Sequence, residues 1–229
     1  MEAKAEMLKK QYQLRFATLG EYRNQVWQVL CKEYFARYVP SNSVILDLGS
    51  GWGEFINNIV AFEKYAMDLN PTSFEYLSPK VKYIQQDCSQ KWAVKSASLD
   101  VVFSSNFLEH LYDKASIERT VSEAYRCLKD SGLIIFMSPN IKFLPGAYWD
   151  FWDHHIPLTE LSCSEMLKIS GFEIEQCIPK FLPYSMSMNM KPPVLLVKLY
   201  LKLPVLWNFF GKQFIVIGRK KTQVTLVDE

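Results

Sequence analysis

Apolar residues recur every three to four positions near the start of the chain, at Tyr12, Phe16, Leu19, Tyr22, Val26, Leu30 and Tyr34. That spacing predicts helices, with one apolar face, up to about residue 38. Pro40, Ser41 and Asn42 end the pattern. Ser43–Leu48 is a short continuous apolar run and reads as a buried strand entering a glycine turn. Helical spacing resumes over Phe55–Phe62. Tyr65–Leu69, Val81–Gln86, Leu99–Ser104 and Leu133–Ser138 read as four further strands, with a helix over Lys114–Leu128 before the last of them. Strands alternating with helices predict a parallel sheet covered on both faces. The rhythm then changes. A helix over Cys163–Ser170 ends at Gly171, Phe172–Ile178 is a strand, and a proline-interrupted apolar stretch separates it from a last strand at Gln213–Arg219. Two late strands joined by an insertion suit an antiparallel pair at the sheet edge. There is no internal repeat and no low-complexity segment.

The chain has 229 residues, 49% hydrophobic and 22% charged, which fits one globular domain spanning 1–229 and argues against disorder. The net charge of +2 gives no electrostatic footprint for nucleic acid, so no nucleic-acid partner is expected. The five cysteines (Cys31, Cys88, Cys127, Cys163 and Cys177) have neither disulfide-frame nor metal-site spacing. They read as reduced thiols of a cytoplasmic protein. The charged N-terminal residues show no signal peptide, and no apolar run reaches the roughly 18 residues of a membrane span.

Asp47-Leu48-Gly49-Ser50-Gly51-Trp52-Gly53 joins the first strand to the first helix of the alternating region. Such a turn lets a ligand approach the backbone and presents free N–H groups at the helix start. The glycines do not fit a dinucleotide fingerprint, because Glu54 stands where its third glycine is required. No phosphate-loop motif occurs. Alone, the turn suits many nucleotide-binding folds, or a tight connection with no ligand.

Together with the acids at the later strand ends and the Asn106–His110 segment, this turn resembles the class I S-adenosylmethionine (SAM)-dependent methyltransferases. The resemblance covers about residues 40–180, and more weakly the last strand. It implies a Rossmann-like fold with a seven-stranded, mostly parallel sheet, an antiparallel last strand and helices on both faces. It implies that Asp47, Gly49, Ser50, Gly51 and Gly53 hold the methionine end of SAM. Asp68 ends the second strand, where a carboxylate can accept both ribose hydroxyls, with Leu69 beside it. By the same resemblance Asp87 accepts from the adenine amino group and the Cys88 N–H faces the ring. Asn106-Phe107-Leu108-Glu109-His110 resembles the family's segment beneath the methyl group, which makes Asn106 a cofactor contact and Glu109 a substrate contact. The expected cofactor is SAM and the product S-adenosylhomocysteine.

Methyl transfer to oxygen needs alignment and usually a base. The chain has three histidines, His110, His154 and His155. Imidazole titrates nearest neutrality, so all three are candidate bases. His110 can equally be a helix-start histidine bonded to backbone. His154 and His155 follow Tyr148, Trp149, Asp150, Phe151, Trp152 and Asp153. These aromatic faces with a few polar groups suit a sugar or small-molecule pocket, or simply a loop packed on the sheet. Tyr148, Trp149 and Trp152 are the candidate substrate walls, and Asp150 or Asp153 could orient an imidazole. Neighbouring loop residues point apart, so one of the histidine pair is expected to face substrate. The acids and imidazoles are donors a divalent ion accepts, but their spacing matches no metal motif and no metal is expected.

Residues 1–40 form a helical lid in this reading, with Tyr12, Tyr22 and Arg23 reaching SAM's carboxylate or the acceptor, or merely packing on the fold. Residues 43–180 form the SAM-binding core and 183–211 an insertion. In that insertion Lys198 and Lys202 share one helical face of an otherwise apolar segment. Residues 192–210 could touch a membrane surface, form a homodimer interface, roof the acceptor pocket or cover the sheet edge. Met186 and Met188 would make an adaptable wall. The strand-four segment lacks the proline pair of DNA and protein-amide methyltransferases and any Pro-Cys nucleophile. The stretch from Pro145 to Tyr184 and Gly211-Lys212-Gln213-Phe214 resemble methyltransferases of bacterial surface-polysaccharide biosynthesis. The expected activity is O-methylation of a small polar acceptor, a hydroxyl or phosphate-type oxygen of a sugar or activated precursor. The alternatives are an N-methyltransferase and a non-catalytic SAM-binding subunit.

Overall fold

The computed structural model describes residues 20–184 and 191–222. Tyr12, Phe16, Leu19, Met186 and Met188 lie outside the described residues, as do the first nineteen positions of the lid expected over residues 1–40. Seven strands form one sheet in the order β3-β2-β1-β4-β5-β7-β6. They are β1 (Val44–Leu48), β2 (Glu63–Asp68), β3 (Val81–Gln85), β4 (Leu99–Ser105), β5 (Leu128–Pro139), β6 (Phe172–Leu182) and β7 (Gln213–Lys220). The first five pair in parallel, and β7 runs antiparallel between β5 and β6. The helices are α1 (Gly20–Glu33), α2 (Glu54–Asn58), α3 (Lys114–Cys127), α4 (Glu160–Ile169), α5 (Val194–Lys202) and α6 (Trp207–Phe210).

The continuous apolar runs are central strands, buried on both faces. Leu46, Leu48, Val102, Ile134 and Phe136 meet Ile117, Val121 and Ala124 of α3 and Cys163 and Leu167 of α4. The alternate positions Ile45, Val101, Phe103 and Ile135 meet Trp27, Leu30 and Cys31 of α1, Phe55 and Ile56 of α2, and Leu201 of α5. The period of two along each strand thus feeds two separate cores. Asp113 caps α3 by accepting from the Ser116 N–H, and Thr159 with Ser162 makes a capping box on α4.

One expected helix is cut short. Helical spacing runs to Phe62, but α2 ends at Asn58. Lys64 Nζ takes the carbonyls of Ile56 (2.7 Å), Asn57 (3.4 Å) and Ile59 (3.3 Å), capping the helix end. Asn57 is diverted to bind Tyr76 and Ser78, so Val60 and Phe62 are left exposed.

The insertion packs inward through Leu201, Tyr200 and Trp207. The Tyr200 hydroxyl donates to the Phe181 carbonyl at 2.8 Å, and Lys198 pairs with Glu33 of α1 at 2.9 Å. Its outer side exposes Leu195, Leu196, Leu199, Val205, Phe209 and Phe210. No helix among the described residues is long and apolar enough to cross a membrane.

A buried polar link joins the end of β5 to the start of α4. Glu160 accepts from Asn140 Nδ2 at 2.6 Å and Lys142 Nζ at 2.5 Å. Burial pushes its carboxyl pKa upward, but these two partners outweigh that and hold it below the usual range. A depressed folded pKa gives stability above the unfolded value that is lost as pH falls through the folded one. Glu160→Gln should therefore cost about 1–3 kcal/mol at neutral pH. In urea denaturation, the gap to the parent protein should narrow as pH drops below about 4.3. A gap that stays constant through acid would contradict the assignment.

Candidate functional site

The C-terminal edge of the parallel strands carries two adjoining groups of residues. The first is the glycine turn after β1. Gly49, Gly51 and Gly53 all adopt positive φ, at 69°, 53° and 73°. The Gly49 and Ser50 N–H groups donate to the Met67 carbonyl at 2.8 and 3.2 Å. The Gly51 N–H donates to Asp68 Oδ2 at 2.8 Å, and the Asn70 N–H to Asp68 Oδ1 at 2.8 Å. The turn is therefore tied firmly to the end of β2. Each Asp68 oxygen keeps a further acceptor position.

This turn concentrates negative charge. Asp47 and Asp68 are buried. Burial, with Glu54 and Asp68 close by, drives the Asp47 pKa well above the carboxylate range. Burial also raises Asp68, against the hydrogen bonds that lower it. Glu54 is paired with Arg23 Nε at 2.6 Å. Beside the acids, buried Ser50 Oγ and Asn106 Oδ1 have no hydrogen-bond partner among the described residues. Asn106 itself sits at φ 51°, just past the end of β4. A cationic ligand that also brings polar groups fits this set. SAM, with a sulfonium, an ammonium and ribose hydroxyls, is such a ligand.

At the end of β3, Asp87 Oδ1 accepts from the Ser89 N–H (2.9 Å) and hydroxyl (2.8 Å), which fixes the loop. Cys88 is buried, with its carbonyl taken by Trp92 Nε1 at 2.7 Å. Leu69 is half-buried between Asp68 and Asn70.

The second group lies beyond β4. Glu109 is fully buried. Its Oε2 accepts from Ser138 Oγ at 3.1 Å, and Oε1 has no partner among the described residues. Its backbone carbonyl accepts from the N–H groups of His155 (2.8 Å) and Ile156 (3.2 Å), stitching the aromatic loop to the strand end. His110 Nδ1 lies 3.0 Å from the Asp153 carbonyl and 3.3 Å from its Oδ2. Burial acts to lower the His110 pKa, but Asp153 and Glu109 prevail and raise it. Burial raises Glu109. The His110 and His154 rings stand 4.9 Å apart, and His154 is walled by Tyr148 and Phe151. The two adjacent histidines point apart: His154 is buried, whereas His155 is exposed beside Tyr112.

The remaining candidates scatter. The Tyr148 hydroxyl is buried and donates to the Ile156 carbonyl at 2.5 Å, so it holds the loop's shape. Trp152 is 86% exposed and Trp149 50%, so neither walls a closed pocket. The Tyr22 hydroxyl donates to the Pro192 carbonyl at 2.9 Å, binding α1 to the insertion, and Arg23 is engaged with Glu54. Sequence reasoning missed Glu54, Phe107 and Ser138. The position of Glu54, directly after the third glycine, was the available signal for one of them.

Phe107 couples the two groups. A Cβ placed on Gly49 would fall 2.2 Å from the Phe107 ring. Gly49→Ala combines that overlap with an L-residue penalty of roughly 1–2 kcal/mol in this backbone region. It should lower the denaturation midpoint, and Phe107→Ala should restore part of the loss in the double variant. Strictly additive losses would show that the ring does not cover the turn.

Residues 46–136 match the family model described as a methyltransferase domain. A Mycolicibacterium smegmatis protein described as a probable SAM-dependent methyltransferase is 28% identical over 139 residues, 58% of this chain and 52% of that one. A Mycobacterium tuberculosis protein of the same description is 34% identical over 123 residues, 52% of this chain and 43% of that one. The chain thus spans about half the length of these curated relatives. Among solved structures, a SAM-dependent methyltransferase from Archaeoglobus fulgidus superposes with a TM-score of 0.65 at 20% identity, covering 90% of this chain and 99% of that one. With the turn, the acids and the strand order in place, residues 46–136 are identified as a methyltransferase domain similar to those of the class I SAM-dependent enzymes, and SAM is the cofactor this likeness implies.

Proposed function

We propose that the protein transfers a methyl group from SAM to an oxygen of a small polar acceptor, a hydroxyl or phosphate-type oxygen of a sugar or activated polysaccharide precursor. The observation that carries this reading is the cluster of His110 with the buried Glu109 and His154, which adjoins the cofactor turn through Phe107. When bound, SAM supplies an electrophilic methyl on a sulfonium that is its own leaving group. The chain must then hold the cofactor, align the acceptor and deal with its proton. Asp47, Glu54 and Asp68 balance the cofactor's positive charge, and Asp68 keeps acceptor positions for the ribose hydroxyls. With Nδ1–H directed at Asp153, His110 carries its free lone pair on Nε2. That nitrogen, with His154 beside it, is where an acceptor hydroxyl is made nucleophilic. His155 is too exposed for the same task. The exposed leucines and phenylalanines of α5 and α6, with Lys202 among them, support contact of this face with a membrane surface.

Cofactor binding is read by thermal shift with S-adenosylhomocysteine. At 100 times its dissociation constant, a ligand stabilises by about 2.7 kcal/mol. The parent protein should show that shift and Asp68→Asn should lose most of it, while an equal shift in both would remove Asp68 from the site. Methyl transfer is then assayed with labelled SAM across nucleotide sugars and sugar phosphates. His110→Ala and His154→Ala should each lower turnover by about 10²–10⁴-fold while the cofactor shift persists. Full turnover in both variants would sink the oxygen-acceptor reading and point to an amine.

A further inference from the structure

The Glu109 carboxylate is fully buried, yet one of its oxygens has no partner among the described residues. A bare buried carboxylate oxygen is costly, so the site calls for a cation or a donor. Two imidazoles stand beside it. Ligand atoms of Glu109, His110 and His154 all lie within 4.8 Å of one another. Donors on one tetrahedral ion, at about 2.0–2.2 Å each, stand about 3.3–3.6 Å apart, so side-chain adjustments of about an ångström complete the set. The surroundings hold these donors in place. His110 Nδ1 is fixed by Asp153, which directs Nε2 to the ligand role and supplies the outer carboxylate that metal-bound histidines usually have. Ser138 fixes the other Glu109 oxygen. The Glu109 carbonyl accepts from the N–H groups of His155 and Ile156, which holds the loop bearing His154 against the strand end.

We propose that Glu109, His110 and His154 bind one divalent transition-metal ion of the manganese-to-zinc series. Two nitrogens and one carboxylate suit those ions, whereas magnesium and calcium prefer all-oxygen sites. Three protein ligands leave coordination positions for an oxygen donor. On the methyl-transfer reading, that donor is the acceptor hydroxyl. Coordination acidifies it and its O–H proton passes to water, so with the ion bound His110 Nε2 acts as a ligand and the ion takes over the activating role assigned to that nitrogen in the metal-free site.

The test uses tag-free full-length protein, stripped with chelator, and needs neither cofactor nor acceptor. Equilibrium dialysis against Zn²⁺ should return one ion per chain. Co²⁺ should give visible bands of a nitrogen–oxygen ligand set with no thiolate charge-transfer band. Glu109→Gln should lose stoichiometric Co²⁺ while keeping its S-adenosylhomocysteine shift, and Asp153→Asn should bind about 10–100-fold more weakly. No retained ion in the parent protein would overturn the proposal, as would a thiolate spectrum or undiminished binding by Glu109→Gln. The parent's Co²⁺ spectrum decides the matter even if a variant misfolds. A missing cofactor shift with the ion bound would instead defeat the methyl-transfer reading and leave the metal site standing.

Discussion

Three carboxylates crowded into one turn are the condition that the cofactor edge is built around. Asp47 and Asp68 are buried, Glu54 lies at the start of α2, and a single guanidinium, Arg23, answers part of their charge. Burial first, and the neighbouring like charges after it, raise a carboxyl pKa in such a setting, as Asp47 reflects. The backbone copes by aiming N–H groups at Asp68 from both sides. The Gly51 N–H is available because the glycines of the turn take left-handed conformations, and the start of the turn is held by the Met67 carbonyl through the Gly49 and Ser50 N–H groups. Strand pairing of β1 with β2, the turn's handedness and the charge balance are therefore one linked arrangement. A cation completes it.

The fold was legible wherever periodicity was long and uninterrupted. Central strands such as β1 and β4 are continuous apolar runs because both faces are covered, and their bounds agree with expectation to within a residue. The two late strands do form an antiparallel pair on one side of the sheet, but that β7 rather than β6 lies next to β5 was not legible, because either order satisfies the connection. Failures came where a side chain overruled the local pattern. Phe55 to Phe62 has helical spacing, but Lys64 lies on the next strand and consumes the helix's last carbonyls. Hydrophobic periodicity does not register a polar contact of that kind, even between residues five to eight apart.

The acids, glycines and imidazoles singled out in the sequence meet at one edge of the sheet, because strand ends are where the topology gathers them. The aromatic candidates do not share one fate. Tyr148, Trp149 and Trp152 share one aromatic run, yet one is fully buried with its hydroxyl tied to backbone and another is almost wholly in solvent. Composition cannot distinguish these fates, since a tight loop turns successive side chains in different directions. Glu109 escaped full notice for the opposite reason. Its importance lies in burial and in an empty hydrogen-bonding position, and neither is a property of sequence.

The place of β7 has a consequence for how the molecule comes together. The last strand among the described residues is the sheet's interior strand between β5 and β6, with nearly every residue buried. Until residues 213–220 leave the ribosome, β5 presents a long apolar edge with no neighbour, and β6 has nothing to pair with. Unpaired edges of that kind recruit other chains. During synthesis, then, β1 to β5 can assemble early, whereas closure of the far side of the sheet must wait for the last strand. The period of greatest exposure to aggregation lasts until that strand has left the ribosome.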